Sequence, residues 1–307
     1  MMAMIASDQN RPPDPLSRAP SRNGSVPVTR FAPSPNGPLH LGHAYAAMIA
    51  HDTARAGNGQ FVLRIEDMDG ARSRAHYAQD AVASLDWLGL VPDRPVVQQS
   101  TRLDLHRAAL QRLQAAGLVY PCRCTRAQIA AAALTKGPDG PVYAGICRGR
   151  SASHGGTAPV AWRLDMARAL ALAGPLAWHD LRKGTLQATP EIFGDVVLWR
   201  KDTPGSYHLA VTCDDAADRI TVVTRGMDLF AATHVHRLLQ ALLDLPVPRW
   251  LHHDLLVERD GRKLAKRRGS PSLKDLREQD VDGHAIIEQL RALCLPPELE
   301  LSGEWHH

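Results

Sequence analysis

The sequence predicts an α/β fold with a Rossmann-like core of parallel strands, an inserted subdomain and a short helical C-terminal segment. Three observations lead to this prediction. Strand-like and helix-like patterns alternate over the first 120 residues, and a loop rich in proline and glycine separates the first strand from the first helix. The regular patterns then stop near residue 121 and resume near residue 191. Strands alternating with helices indicate a parallel sheet with helical crossovers.

The elements of the first half follow in order along the chain. A short β-type run, VPVTRFA, precedes the loop and a helix, and QFVLRIED at 60–67 is a second strand that ends on charged residues. Apolar residues at helical spacing in 76–90 and 101–117 predict two further helices, the second closing on Gly117. We therefore expect a leader at 1–26, flexible and without an export signal, and the first half of the core at 27–120.

The rest of the chain divides into three predicted segments. Irregular spacing with many glycines and prolines marks 121–190 as an insertion. Two strand patterns, GDVVLWR and RITVVTRG, and the helical THVHRLLQALLDL predict the second half of the core at 191–250. A basic loop and a helical tail are expected at 251–307, where two or three helices would fit.

Composition narrows the possible classes of protein. The chain has 307 residues, 44% of them hydrophobic, and a formal net charge of +4. No apolar run approaches the roughly 20 residues of a membrane span, so we expect a cytoplasmic protein without a membrane partner. Mild basicity is compatible with a polyanionic partner without establishing one. Five cysteines without an export signal favour metal binding or structural thiols over disulfides.

The loop APSPNGPLHLGHA poses a choice between two interpretations. Free backbone N–H groups and the helix dipole make a glycine-rich loop at a helix start a natural phosphate site. Gly42 would allow close approach, and His40 and His43 would face one side of the helix and stabilise charge on phosphoryl oxygens. The alternative is a proline-rich turn whose histidines cap the helix.

Several motifs together resemble the glutamyl branch of the class I aminoacyl-tRNA synthetases. The stretch TRFAPSPNGPLHLGHA resembles the first signature of that family, LRIEDMDGARS its second strand, TVVTRGMDL its late strand and KLAKR its lysine loop. These motifs follow the order of the family between residues 28 and 267. The resemblance implies activation of an amino acid by ATP, which carries Mg2+, and transfer of the acyl group to RNA.

The resemblance also implies roles for individual residues. The ATP site would comprise His40, Gly42, His43 and Lys266, and the catalytic set would be His40, His43, Lys263 and Lys266. The glutamate site would comprise Arg30, Ala32, Ser34, Glu66, Tyr207 and Arg225. Arginine suits carboxylates because its planar fork pairs with them through two hydrogen bonds. Ala265 stands where the family has a serine, which predicts slower activation.

The cysteines form a second candidate site. Cys122 and Cys124 lie two apart and Cys147 follows in the sequence YAGIC. Thiolates are good zinc ligands, although spacing alone equally allows three buried cysteines. The pattern resembles the zinc site of the glutamyl-queuosine branch and of some glutamyl-tRNA synthetases. This implies Tyr143 as a fourth ligand and one structural Zn2+ per chain in a zinc-stabilised insertion. Cys213 and Cys294 are expected in the core.

The predicted acceptor depends on the length of the tail. Only about 40 residues follow the lysine loop. A tail of this length resembles the glutamyl-queuosine branch rather than synthetases with a helical anticodon-binding domain. That branch attaches glutamate to queuosine in the anticodon of tRNA(Asp). A minimal glutamyl-tRNA synthetase charging the 3′ end of tRNA(Glu), and a silent glutamate- or RNA-binding paralogue, are the alternatives. A monomer is expected.

Overall fold

A computed structural model describes residues 26–150, 159–262, 264 and 271–302. Within them the strands are β1 Val28–Phe31, β2 Gln60–Ile65, β3 Val97–Gln98, β4 Val119–Cys122, β5 Lys136–Gly137, β6 Gly140–Pro141, β7 Ala161–Leu164, β8 Ala177–Asp180, β9 Gly184–Gln187, β10 Val197–Trp199, β11 Val222–Gly226, β12 Arg249–His253, β13 Leu256–Glu258 and β14 Leu299–Leu301. The α-helices are α1 Leu41–Ala56, α2 Ala75–Trp87, α3 Leu103–Ala115, α4 Arg126–Ala132, α5 Met166–Ala173, α6 Tyr207–Ala217, α7 Ala232–Leu242, α8 Leu273–Glu278 and α9 Gly283–Arg291.

The core is a largely parallel sheet, as the alternating pattern predicts. β2 lies parallel to β1 and to β3, and β12 lies parallel to β11 and to β8. Thr221 N donates to Val28 O at 2.9 Å, which places β11 beside β1. The strand order is therefore β3-β2-β1-β11-β12-β8, with β9 antiparallel at the edge. Strand order reverses between β1 and β11, and in such sheets the carboxyl ends at the reversal point bind ligands.

Buried apolar side chains fix α1 and α2 against this sheet. Phe61, Leu63 and Ile65 of β2 are buried in one cluster with Ala47 of α1 and Leu85 of α2. Near-continuous apolar residues in β2 are typical of a strand covered on both faces. The sequence patterns therefore predict both the strand and its burial.

The middle segment of the chain, from β4 to β10 (residues 119–199), contributes strands to different sheets. β8 and β9, within the predicted insertion, extend the core sheet, whereas β10 joins β7 and β4 in an antiparallel sheet. A strand-like pattern predicts that a strand forms but not which strand will pair with it. The boundary of the insertion therefore remains a prediction.

The C-terminal segment packs back onto the core. α8 and α9 agree with the helical pattern, and α9 buries Ile286, Ile287 and Leu290 against the cluster around α1. β14 pairs antiparallel with β13, and the sequence pattern predicted neither of these two strands. A strand of three residues is too short for an alternating apolar pattern to identify it. Within the described ranges, no helix is both long and apolar enough to cross a membrane.

Candidate active site

A cleft of about 630 Å3 opens at the carboxyl ends of β1, β2 and β11. It therefore lies at the point where the strand order reverses, which is where α/β sheets bind ligands. Its volume is in the range of small-molecule sites. The start of α1 forms one wall, and Leu256 and Leu264 close the side towards the C-terminal segment.

The cleft brings together the described residues of both predicted small-molecule sites. They are Arg30, Ala32, Ser34, His40, Gly42, His43, Glu66, Tyr207 and Arg225. Lys263, Ala265 and Lys266 of the lysine loop lie outside the described residues. Leu264 is described and lines the cleft. Residues from four separate stretches of sequence thus meet at one site.

The two histidines both cap the helix and line the cleft. Gly42 N donates to His40 Nδ1 at 3.2 Å, and His40 N donates to His43 Nδ1 at 3.2 Å. Because each Nδ1 accepts a backbone hydrogen bond, each neutral ring carries its proton on Nε2. The capping interpretation and the phosphate interpretation are therefore compatible, since capping leaves one N–H donor on each ring.

Burial keeps both rings neutral. It lowers the pKa of His40, and burial together with the nearby His40 lowers the pKa of His43 to about 3. The ring centroids are 3.9 Å apart, so the pair forms one donor surface. A Cβ on Gly42 would lie 3.1 Å from the His40 ring, which explains the glycine at this position. At neutral pH the pair thus offers N–H donors rather than positive charge.

Arg30 is paired directly with a carboxylate, which it shares with Arg64. Its Nε and Nη2 donate to Asp215 at 3.0 and 3.4 Å, and its Nη1 donates to Thr224 O at 2.7 Å. Asp215 also accepts from Arg64 at 2.8 Å. Burial opposes ionisation of Asp215, but Arg30 and Arg64 hold its pKa below the usual range. Arg30 therefore brings little net charge to the cleft.

Arg225 has no such compensation among the contacts of the described residues. Its Nε donates to His252 Nε2 at 3.2 Å, its Nη1 to His236 Nδ1 at 3.2 Å and to Tyr207 Oη at 3.4 Å, and its Nη2 to Thr233 Oγ1. All four acceptors are neutral groups. Burial lowers the pKa of Arg225 accordingly. A buried guanidinium of this kind favours an anionic ligand.

Glu66 supplies negative charge at the end of β2. Its backbone N–H donates to Pro33 O at 3.0 Å, which ties the strand to the loop that carries Ser34. Its carboxylate lies 3.5 Å from Arg64 Nη2. Burial raises the pKa of Glu66, although Arg64 and Arg30 act in the opposite direction. Among the described residues that line the cleft, Arg225 is thus a buried cation whose hydrogen bonds include no carboxylate, and Glu66 is a desolvated carboxylate.

Some polar groups in the cleft, or in contact with residues that line it, were not predicted from the sequence. Arg64 and Asp215 are charged residues inside otherwise apolar or helical patterns, and such buried charges need partners. That requirement is the one sequence signal that could have identified them. Thr224 and His253 line the cleft, and neither Thr224 Oγ1 nor His253 Nε2 has a hydrogen-bond partner among the described residues.

The predicted zinc ligands converge in the middle segment. The Tyr143 hydroxyl oxygen lies 3.4 Å from both Cys122 Sγ and Cys124 Sγ, and Cys124 Sγ lies 3.5 Å from Cys147 Sγ. Ligand atoms around a tetrahedral zinc ion would be roughly 3.5 to 3.8 Å apart. The cysteine cluster could therefore hold a metal ion, and the fourth atom of the set fits that geometry.

The surroundings of the cluster hold the Tyr143 hydroxyl beside the cysteines. Cys147 N donates to Tyr143 Oη at 2.8 Å, and the Arg163 guanidinium lies 4.0 Å from the centre of the tyrosine ring. Burial raises the pKa of the Tyr143 phenol, so deprotonation there would depend on the charge of a bound cation. Of the two cysteines expected in the core, Cys213 is buried but Cys294 is exposed. The expectation for Cys294 was wrong: it lies at the surface, just after α9 ends at Arg291.

Comparison with known proteins defines the class. The model of the family described as tRNA synthetases class I (E and Q), catalytic domain, matches residues 27–302. The chain therefore belongs to this family, the class I tRNA synthetases for glutamate and glutamine. This agrees with a parallel-sheet core whose cleft holds a histidine pair at the start of a helix.

Curated relatives place the chain in a particular group of that class. It is 47% identical to the Glutamyl-Q tRNA(Asp) synthetase of Rhodobacter capsulatus, over 81% of this chain and 94% of the relative. It is 37% identical to the protein of the same name from Methylococcus capsulatus, over 92% and 89% of the two chains. Within the family, the chain belongs with the glutamyl-Q tRNA(Asp) synthetases.

Solved structures support the fold. The chain matches a glutamate tRNA ligase from Elizabethkingia meningosepticum with a TM-score of 0.68 at 24% identity. It matches the glutamate-tRNA synthetase from Elizabethkingia anophelis with a TM-score of 0.69 at 23% identity. Both matches include 87% of this chain, but only 60% and 61% of the two longer synthetases.

Proposed function

We propose that this protein activates L-glutamate with ATP and transfers it to queuosine in the anticodon of tRNA(Asp). An oxygen of the glutamate α-carboxylate attacks the α-phosphorus of ATP, and the bond to pyrophosphate breaks. A hydroxyl of the RNA then attacks the carbonyl carbon of the glutamyl-adenylate, and AMP leaves. Glutamate as the substrate is supported by Arg225, whose contacts in the cleft leave its charge without a carboxylate partner among the described residues. Queuosine of tRNA(Asp) as the acceptor is supported by the relatives named Glutamyl-Q tRNA(Asp) synthetase.

Recognition of glutamate would use groups of opposite charge. Arg225 would bind the side-chain carboxylate, because its own contacts leave its charge unpaired. Glu66 would accept the α-ammonium, and Tyr207, Ser34 and the Ala32 backbone would line the pocket. Arg30, already paired with Asp215, would contribute hydrogen bonds more than charge. Glutamine would be rejected because its neutral amide leaves the buried guanidinium unpaired.

Catalysis would rest on positioning and on stabilising charge at phosphorus. The Nε2–H groups of His40 and His43 are in the right tautomer to donate to phosphate oxygens, and Gly42 leaves room beside them. Lys263 and Lys266 would neutralise the departing pyrophosphate, with Mg2+ accompanying ATP. Preorganised donors of this kind lower the barrier without reorganisation at the moment of reaction.

A zinc ion would act in structure rather than in the reaction. Cys122, Cys124, Cys147 and Tyr143 would hold it as a closed four-ligand site, which leaves no position for substrate. It would fix β4 and the loop around Tyr143 relative to each other. This segment would then present a defined surface to the tRNA.

Glutamate-dependent exchange of pyrophosphate into ATP tests the activation step. We expect exchange with glutamate and a kcat/KM for glutamine lower by about four orders of magnitude, because a site built for one charge rejects its neutral analogue. The assay is run with and without tRNA(Asp). Absence of exchange in both conditions would leave a binding protein and refute the proposed activity.

As the pH is lowered, binding of the substrate glutamate is expected to weaken at a higher pH than it would if Glu66 had the ordinary pKa of a glutamate side chain. Burial raises the pKa of Glu66, so its carboxylate protonates as pH falls through a value above the usual one, and the ammonium then loses its partner. The KM for glutamate should rise on the acidic side while the KM for ATP changes less. Glu66→Gln should raise the KM at neutral pH and remove this pH dependence; an unchanged profile in that variant would contradict the assignment.

A further inference from the structure

Arg225 lies between two hydrogen-bonded chains of side chains that each end on a carboxylate. In the first, Arg225 Nε donates to His252 Nε2 at 3.2 Å, and His252 Nδ1 donates to Asp180 Oδ2 at 2.7 Å. His252 and Asp180 have fully buried side chains. Asp180 also accepts from the backbone N–H of Arg182 at 2.8 Å, so its position is fixed. We call Asp180–His252 the inner relay.

The second chain runs from the same guanidinium towards the surface. Arg225 Nη1 donates to His236 Nδ1, His236 Nε2 to His208 Nδ1, and His208 Nε2 to Asp139 Oδ2, each at 3.2 Å. Asp139 lies in the turn between β5 and β6, and its side chain is 68% exposed. We call Asp139–His208–His236 the outer relay. It links the hairpin of the middle segment to the wall of the cleft.

The direction of every bond in both relays follows from the guanidinium. Arginine can only donate, so the imidazole nitrogen that faces it must accept. In each ring the proton then sits on the other nitrogen, which donates a hydrogen bond to the next acceptor. The two chains end at Asp180 and at Asp139. Burial lowers the pKa of His252 to about 4 and that of His236 well below its ordinary value, so both rings stay neutral at pH 7.

We infer that the two relays position Arg225 for the side-chain carboxylate of the substrate while leaving its charge unpaired. The inference rests on the proposed function. Arg30, by contrast, contacts Asp215 directly, and such a carboxylate would compete with a substrate carboxylate. A neutral imidazole between Arg225 and each carboxylate fixes the guanidinium through hydrogen bonds without that competition. Asp180, His252, His236, His208 and Asp139 are thus positioning residues that determine specificity.

Removing the acceptor from the inner relay tests this inference. His252→Leu is expected to raise the KM for glutamate about 10- to 100-fold, since it deletes a buried hydrogen bond to a charged group. The KM for ATP should stay within about twofold, and the preference for glutamate over glutamine should fall. His252→Gln should recover part of the loss, because its amide oxygen can accept near the position of Nε2.

A matched control separates positioning from general destabilisation. His106 is also fully buried and bonded to a carboxylate, Asp214 at 2.9 Å, but it does not line the cleft. His106→Leu should lower the midpoint of thermal unfolding without a selective rise in the KM for glutamate. If His252→Leu changes both KM values and kcat alike, its role is structural and the inference is overturned.

The outer relay provides a second test that does not depend on a buried substitution. Asp139→Ala, at an exposed position, should leave thermal stability unchanged and raise the KM for glutamate about 3- to 10-fold, as expected for a partly solvated hydrogen-bond chain. The exposed Asp104→Ala serves as its control. An unchanged KM in Asp139→Ala overturns the outer relay. If wild-type protein shows no exchange with glutamate, the proposed function fails, and with it the basis of the inference.

Discussion

A variant with methionine in place of Arg225 is expected to lose about a thousandfold or more in kcat/KM for glutamate. The reason is that Arg225 brings a positive charge to the cleft without a carboxylate partner among the described residues, since all four of its acceptors are neutral. The same absence of a charged partner predicts a small effect on folding. Replacing a desolvated, unpaired cation by an apolar side chain of similar length should change the free energy of unfolding by less than about 1 kcal/mol.

Arg64→Met is the matched control for this substitution. Arg64 is also fully buried, but it donates at 2.8 Å to both Asp215 and Asp218. Its loss would leave two buried carboxylates short of a partner and should destabilise the fold by about 3–5 kcal/mol. Pyrophosphate exchange and denaturant unfolding of both variants would separate the roles. Near-normal kcat/KM in Arg225→Met, or a stability loss as large as that of Arg64→Met, would contradict the assignment.

Loss of the proposed zinc ion is expected to unfold β4 and the loop around Tyr143 while leaving the core sheet intact. Cys147→Ser should reduce bound zinc from one per chain to near zero, because the thiolates supply most of the binding energy. Structural zinc sites contribute on the order of 10 kcal/mol to folding, more than a short antiparallel sheet can replace. The core is held by its own apolar cluster around α1 and β2, which contains no residue of the cysteine site.

Metal analysis and hydrogen exchange would check this prediction. Backbone amides of β4 and of the Tyr143 loop should lose protection in Cys147→Ser, whereas those of β1 and β2 should keep it. Transfer to tRNA should fall more steeply than activation of glutamate. Cys294→Ser, at an exposed cysteine far from the cluster, is the control and should retain the metal. Full zinc content in Cys147→Ser would show that the four-ligand site is wrongly assigned.

Much of the site could be predicted from the sequence because its motifs are local. His40, Gly42 and His43 fall at a strand–loop–helix junction, and Arg30 and Glu66 lie on or directly after β1 and β2. The carboxyl ends of neighbouring parallel strands share one edge of the sheet, so residues there must meet. All four predicted ligand positions likewise fall within residues 122–147; the cysteine pattern identified three of them, and the resemblance supplied Tyr143.

The supporting contacts could not be predicted, because they join residues that are distant in the chain. Arg30 and Asp215 are separated by 185 residues, Asp180 and His252 by 72, and Asp139 and His208 by 69. No periodic pattern carries such pairings, and a strand-like run does not specify its partner, as the pairing of β10 with β7 illustrates. The difference between Arg30 and Arg225 arises from these distant contacts.

The most direct test of the central claim measures where labelled glutamate is attached. Purified protein is incubated with ATP and four forms of tRNA(Asp): with or without queuosine, and with the 3′-terminal CCA intact or removed. Nuclease cleavage then separates the anticodon fragment from the acceptor stem. We predict label on the anticodon fragment of both queuosine-containing forms and none on the other two. Labelling that requires an intact 3′ end and is indifferent to queuosine would contradict the account.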